Sequence, residues 1–276
     1  MKLTRPSEVR ALLDRLQFKP SKLLGQNFLI DGNILNILLE AADLSPQDRV
    51  LEIGPGLGVV TEALLEKTGH VVAIEKDSRL AAHVDHTLGQ TPGLDLIHRD
   101  ATDVDLDQLL REQRLNKLVA NLPYSVGSRI LVDCFQAQTP PERIVVTVQK
   151  EVADRLAAGV NTSDYGLLSI WAQLDYTVSL HKVISPACFY PPPQIRSAIV
   201  LMVKKARALD IRDPDLFNRL VKAAFSARRK QIQTTLQKFA SPERLPGIFA
   251  ATGLTPTQRP ESIPVIQWCH LANELG

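Results

Sequence analysis

Cysteine is scarce and scattered in this chain: Cys134, Cys188 and Cys269 are the only three in 276 residues. They are widely spaced and form no C-x-x-C pair, which argues against a disulfide framework and a cysteine-based zinc site and fits a reducing compartment. Long apolar runs are also lacking. No segment approaches the ~20 apolar residues of a membrane helix, and the first residues have no apolar core like that of a signal peptide, so a soluble, cytoplasmic protein is expected. Internal repeats and low-complexity tracts are absent. Excess charge of one sign is missing overall, at a net +2, but the balance is local rather than uniform. Residues 1–30 hold six Lys/Arg against two acids, and residues 219–238 hold Arg219, Lys222, Arg228, Arg229, Lys230 and Lys238 with no acid. Two basic runs on a body that is not itself basic suit a polyanion gripped at two places. A solvated helix face remains the other reading of each run taken alone.

What is present is enough apolar material, 45% of the residues, to bury a full core in one large domain or in one large and one small. The pattern centres on residues 49–61. Val50, Leu51 and Ile53 make a short apolar run stopped by glycine, as in a parallel strand buried on both faces, and Leu57, Val60, Leu64 and Leu65 then take up helical spacing. Gly54, Gly56 and Gly58 are spaced G-x-G-x-G. The dinucleotide fingerprint is G-x-G-x-x-G, and Val59 stands where its last glycine belongs, which disfavours a nicotinamide dehydrogenase. Three further residues close apolar runs in the same way. Glu75 ends residues 70–74, about twenty residues past the glycines, where an acid can hold both hydroxyls of a ribose. Asp100 follows residues 94–99, and Asn121-Leu122-Pro123-Tyr124 follows residues 117–120. Four strands thus each deliver a candidate at the carboxyl edge, where open α/β sheets bind ligands. Each has a plainer reading, as a helix cap or an ordinary turn, but all four in register favour a site.

The glycine loop, Glu75, Asp100 and Asn121-Leu122-Pro123-Tyr124 resemble the signature of S-adenosylmethionine-dependent methyltransferases that act on exocyclic amino groups. With Gly25-Gln26-Asn27-Phe28-Leu29 upstream and Phe189-Tyr190-Pro191-Pro192-Pro193 downstream, the chain is similar to the ribosomal RNA small-subunit adenine dimethyltransferase family, the KsgA type, from about Lys22 through Arg228-Arg229-Lys230. The resemblance implies a Rossmann-like class I methyltransferase domain, with a mostly parallel seven-stranded sheet and an antiparallel last strand, plus a small all-helical C-terminal domain. It implies S-adenosyl-L-methionine as cofactor, held by Asn27, Leu29, Gly54, Gly56, Gly58, Glu75, Asp100, Ala101 and Asn121, with no metal. Its implied substrate is two adjacent adenosines in the 3′-terminal hairpin of small-subunit rRNA, within the assembling small ribosomal subunit during ribosome biogenesis. A monomer without a membrane partner is expected. Two alternatives stay open: a large-subunit rRNA adenine methyltransferase of the Erm type, and a binding factor for ribosome assembly or transcription that uses the same fold. After the asparagine turn, Ser125-Val126-Gly127-Ser128 departs from the serine-threonine step usual in the family, as Val59 departs from its commoner small residue.

The chemistry expected of such a site follows from the substrate. An adenine amino group has its lone pair delocalised into the ring and is a poor nucleophile. Two acceptors, the Asn121 side-chain oxygen and the Leu122 carbonyl, can bind both amino hydrogens and leave the lone pair aimed at a methyl group. Pro123 fixes the turn, Tyr124 offers a face on which an extruded base can stack, and Phe189 is the expected opposite face. The plainer reading of Phe189 is a core aromatic.

Along the rest of the chain, Pro6-Ser7 opens a helix with Val9, Leu12, Leu13 and Leu16 on one face and Arg10 and Arg15 exposed. A basic linker with Lys19 and Lys22 follows, and Asp31 caps the next helix. Helices are expected at 126–135, 151–158 and 167–174, and strands at 143–148, 177–184 and 195–203. The composition changes after Lys204-Lys205. The expected division is a methyltransferase domain with a basic N-terminal arm at 1–205 and a helical RNA-binding domain at 206–276. In the latter, Phe225, Ile232, Leu236 and Phe239 face inward if one helix is continuous, which leaves Arg228, Arg229 and Lys230 to meet phosphate beside Arg10, Arg15, Lys19 and Lys22.

Overall fold

A computed structural model describes residues 5–21, 25–207 and 209–276; Lys22 lies outside them. The described strands are β1 (Phe28–Leu29), β2 (Arg49–Ile53), β3 (His70–Glu75), β4 (Leu94–His98), β5 (Lys117–Asn121), β6 (Arg143–Gln149), β7 (Tyr176–Ile184), β8 (Phe189–Tyr190) and β9 (Ser197–Lys204). The helices are α1 (Pro6–Arg15), α2 (Gly32–Ala42), α3 (Val59–Leu65), α4 (Ser78–Leu88), α5 (Leu106–Glu112), α6 (Gly127–Gln136), α7 (Lys150–Ala157), α8 (Leu167–Asp175), α9 (Pro214–Ser226), α10 (Ile232–Leu236), α11 (Leu245–Thr252) and α12 (Val265–Leu275).

Seven strands form one sheet in the order β4-β3-β2-β5-β6-β9-β7. The pairs β2–β3, β3–β4, β2–β5 and β5–β6 are parallel, and β9 runs antiparallel to β6. The chain winds outward from β2 to β4 and then returns to lay β5 on the other side of β2. That reversal opens a crevice at the carboxyl ends of β2 and β5, where open α/β sheets take their ligands. The antiparallel β9 meets the same edge with its first residue, since Ser197 lies opposite Gln149 at the end of β6. Strands β2, β3, β5 and β6 read as near-continuous apolar runs because they are covered on both faces: Leu51, Val71, Val119 and Val145 are all fully buried.

Local chemistry sets the helix starts. The Asp31 carboxylate accepts from the amides of Asn33 and Ile34 at 2.9 and 3.0 Å, and Asp77 caps α4 in the same way through Arg79 and Leu80. Helix α1 has no side-chain cap, but Pro6 stands in its first turn. It is held by packing, with Val9, Leu12 and Leu13 buried against Phe18, Phe28, Leu57 and Leu80, each worth ~1.5–3 kcal/mol relative to exposure.

The chain divides into two compact units, Met1–Ala153 with Val178–Lys204, and Asp154–Thr177 with Lys205–Gly276. The second unit resumes at Lys205 and also takes the segment that carries α8, which a single cut at 205/206 assigns to the first. The reason is a shared core. Tyr165 and Ile170 are buried with Phe217, Leu220 and Trp268. The Tyr165 hydroxyl donates to the Ile263 carbonyl at 2.8 Å, and Arg207 forms an ion pair with Asp175.

The expected continuous helix through the basic cluster is broken. Helix α9, capped by Asp213 through the Leu216 amide at 2.9 Å, ends at Ser226, and α10 begins only at Ile232. Arg228, Arg229 and Lys230 occupy the turn between them, closed by the Lys230 amide on the Ala227 carbonyl at 2.7 Å. The break is set from outside the segment: the Ile232 amide donates to the Gln258 carbonyl at 2.7 Å instead of continuing the α9 ladder. No Gly or Pro marks the spot, so apolar periodicity alone reads straight across it.

Candidate functional site

The turn after β2 places Gly54, Gly56 and Gly58 at φ of +71°, +60° and +83°, a region closed to most L-residues. Space is short as well: a Cβ on Gly54 would stand 3.0 Å from the Pro123 ring, and one on Gly56 3.0 Å from the Phe28 ring. Backbone therefore approaches both the asparagine turn and the N-terminal segment. Gly58 serves the turn geometry as the N-cap of α3.

At the end of β3, Glu75 is buried and uses both carboxylate oxygens on backbone. Oε2 accepts from the Gly56 amide at 3.0 Å and Oε1 from the Asp77 amide at 2.9 Å. Burial pushes its pKa up. A carboxylate has about four lone-pair sites, so capacity remains for two hydroxyl donors. Asp100, after β4, is more open and more polar in its surroundings. It takes the Lys76 ammonium at 2.6 Å, the Thr102 amide at 2.9 Å and the Thr102 hydroxyl at 2.8 Å, and the bond to Lys76 foremost holds its carboxyl down at about 2. Both expected acids therefore sit at strand ends with spare acceptor capacity, one buried and one beside an exposed lysine.

Asn121 closes β5. Its Nδ2 donates to the Asn27 carbonyl at 2.8 Å, which fixes the amide so that Oδ1 points the other way. That Oδ1 is buried and has no hydrogen-bond partner among the described residues. A buried acceptor left unsatisfied costs ~1–3 kcal/mol and calls for an explanation. The turn beyond it is tied down: the Leu122 amide donates to the Thr147 carbonyl at 3.2 Å, and the Pro123 carbonyl accepts from Val126 and Gly127 as α6 starts. Tyr124 is half-buried, its hydroxyl bonded to Ser197 Oγ.

One pocket brings together Asn27, Leu29, Gly54, Gly56, Glu75, Asp100, Ala101, Asn121 and Pro123 along its lining. Eight of the nine residues expected to hold the cofactor meet there, all but Gly58. The pocket also takes in Glu52, which the sequence reading passed over. Glu52 is 1% exposed, its Oε2 has no hydrogen-bond partner among the described residues, and burial, with the charge of Glu75 adding, pushes its pKa up to about 8. The signal was an acid inside an otherwise apolar buried strand.

Leu122, Tyr124 and Phe189 do not line this pocket. For Phe189 the structure corrects the expectation of an open stacking face. β8 pairs with β1, Leu29 opposite Phe189, and this turns the Phe189 ring into a core with Leu29, Ile184 and Ile199, where it is 1% exposed. The neighbouring Tyr190 is half-buried, with the Arg10 guanidinium 5.6 Å from its ring centroid.

The basic residues separate by environment. Arg15 and Lys19 are exposed, as is Arg10 apart from its ring contact. In the second unit Arg229 and Lys230 are exposed, but Arg228 is committed to its own fold: its guanidinium donates to the Ser163 and Thr162 carbonyls at 2.7 and 3.0 Å and lies 3.7 Å from Glu261. It is not free to meet a phosphate as the sequence suggests.

A family model described as "Ribosomal RNA adenine dimethylase" matches residues 17–276. Relatives named "Ribosomal RNA small subunit methyltransferase A" include one from Alkaliphilus metalliredigens, 36% identical and covering 100% of this chain and 98% of its own. Another, from Geobacter metallireducens, is also 36% identical, covering 92% of this chain and 94% of its own. Among solved structures, a dimethyladenosine transferase from Plasmodium falciparum superposes with a TM-score of 0.72 at 22% identity, covering 88% of this chain and 95% of that one. The 23S rRNA methyltransferase ErmE gives 0.67 at 24% identity over 90% and 99%. These two likenesses establish the Rossmann-like methyltransferase fold.

Proposed function

The chain belongs to the ribosomal RNA adenine dimethylase family, and from that premise we propose that it transfers methyl groups from S-adenosyl-L-methionine to the exocyclic amino groups of adenosines in small-subunit rRNA. The substrate is two adjacent adenosines of the 3′-terminal hairpin, presented within the assembling subunit in the cytoplasm, and the protein acts as a monomer. Full-length similarity to relatives named for the small subunit supports this reading over a large-subunit target. The observation that carries it is the buried, unpartnered Oδ1 of Asn121 beside the acids and glycine loop of a single pocket.

The residues fit S-adenosylmethionine. Glu75 has lone pairs left for ribose hydroxyls, Asp100 can accept from an adenine amino group, and positive-φ glycines let backbone come close. When bound, that cofactor supplies an electrophilic methyl group on a cationic sulfonium. The chain's own contribution is orientation. Asn121 Oδ1 accepts one amino hydrogen of the target adenine and the Leu122 carbonyl the other, so that the nitrogen lone pair is directed at the methyl. The Asn27 carbonyl holds the Asn121 amide in the required sense. Tyr124 supplies one stacking face for the extruded base. Arg10, Arg15 and Lys19 on the N-terminal arm, with Arg229 and Lys230 in the helical unit, meet phosphate. Arg228 positions its turn.

The test is methyl transfer from labelled S-adenosylmethionine to undermethylated small subunits, large subunits and naked rRNA in parallel. Label entering small subunits supports the proposal, and label entering only large-subunit RNA rejects it.

A further inference from the structure

The sheet topology sets up one contact that the reaction chemistry leaves unused. Parallel strands bring their last residues to the ligand edge, but β9 runs the other way and brings its first, Ser197. Ser197 is fully buried, and its Oγ meets the Tyr124 hydroxyl across the end of β6. At the opposite end of Tyr124 the backbone of Gly25 comes close. Gly25, at φ +67°, lies so close to the asparagine turn that a Cβ there would stand 2.8 Å from the Tyr124 amide nitrogen. The residue thus has Gly25 backbone close against its own and is bonded at its hydroxyl to β9.

We propose that Ser197 is a positioning residue for methyl transfer, holding the Tyr124 ring in one orientation as the wall against which the target base stacks beside Asn121. This rests on the reading of Tyr124 as that wall. A tyrosine on a loop has several χ1 wells and a broad χ2, and a ring free to leave its place presents the base to Asn121 only part of the time. A 1 Å misplacement of a reacting group is enough to slow an oriented transfer severely. Burial raises the Tyr124 pKa, which keeps the phenol in its protonated form.

The experiment is a double-mutant cycle read by single-turnover transfer on preformed complexes with small subunits. Ser197→Ala and Tyr124→Phe each remove the hydroxyl bond from one side, and each should slow transfer about fivefold, the worth of one ordinary hydrogen bond. The double variant should be no slower than either single, whereas independent effects would multiply to about 25-fold. Affinities for cofactor and for subunits should stay at the wild-type values, a split that a general loss of folding does not produce. Tyr124→Phe keeps the assay informative if Ser197→Ala folds poorly. Ser197→Ala and Tyr124→Phe both transferring at the wild-type rate while Tyr124→Ala is slow would overturn the tether and leave the stacking wall standing. Multiplicative singles would overturn it too. Wild-type transfer by Tyr124→Ala would remove the wall and the tether together.

Discussion

Replacing Asn121 by alanine separates catalytic from structural roles, because its two amide atoms stand in opposite situations. Nδ2 makes a 2.8 Å bond to the Asn27 carbonyl, worth ~1 kcal/mol of stability. Oδ1 is buried without a partner, a cost of ~1–3 kcal/mol in the unliganded protein. Truncation removes both, so on these two terms folding stability should stay level or rise by up to ~2 kcal/mol. Transfer should not be spared. Removing one preorganised hydrogen-bonding group from a reaction centre costs ~100- to 1,000-fold in rate, and here it acts on the orientation of the amine. Asn121→Asp makes the contrast sharper. It keeps an acceptor but sets a carboxylate oxygen against the Asn27 carbonyl, so it should lose more stability than Asn121→Ala. Quenched single-turnover transfer on preformed complexes gives the rates, and denaturant unfolding gives the stabilities. Transfer by Asn121→Ala within about threefold of wild type, far short of the loss expected of a reaction-centre group, would refute the reasoning. So would a rate loss that tracked a loss of folded protein.

Glu75→Ala and Asp100→Ala should each weaken S-adenosylmethionine binding by ~1.5–3 kcal/mol in calorimetry, and unchanged affinity in both would reject their placement. They should differ in stability: Glu75 braces the Gly56 and Asp77 amides, so its loss should lower the unfolding midpoint more than the loss of the more open Asp100. Glu52 has a pH signature. Its carboxyl, raised from 4.5 to about 8 by burial, binds a proton in the folded state that the unfolded chain has released, so stability should fall as pH rises through that window. Unfolding of Glu52→Gln across the same range should have a flatter pH dependence, and identical slopes would contradict the burial account. In the second unit, Arg228→Gln should mainly destabilise, through the Ser163 and Thr162 carbonyls it abandons. Arg229→Gln with Lys230→Gln should leave stability intact and flatten the salt dependence of subunit binding by up to ~2 units of slope.

The sheet was legible because its strands carry their own punctuation. Apolar runs ending at Gly54, Glu75, Asp100 and Asn121 identify both the buried strands and the edge where they deliver polar groups, and the resemblance adds the antiparallel finish at β9. Asp31 announced its helix by cap chemistry that acts within three residues. What stayed hidden depends on contacts distant in sequence. The break between α9 and α10 is made by a loop near Gln258, and the Arg228 side chain is claimed by carbonyls about 65 residues away. Residues 154–177 join the helical unit because Tyr165 and Ile170 find their core there. Phe189 was misjudged because a two-residue strand, β8, decides which way its ring turns. Glu52 went unremarked because a charge inside a buried strand has no short-range explanation.

The most direct measurement of the central claim is the position and degree of methylation left in the RNA. Small subunits that lack the modification, incubated with this protein and S-adenosylmethionine, are digested and their nucleosides mapped by mass spectrometry. The account predicts N6,N6-dimethyladenosine at two adjacent positions of the 3′-terminal hairpin, abolished together with label transfer by Asn121→Ala. Methyl groups on another base, or on large-subunit RNA with the small subunit left untouched, would contradict it.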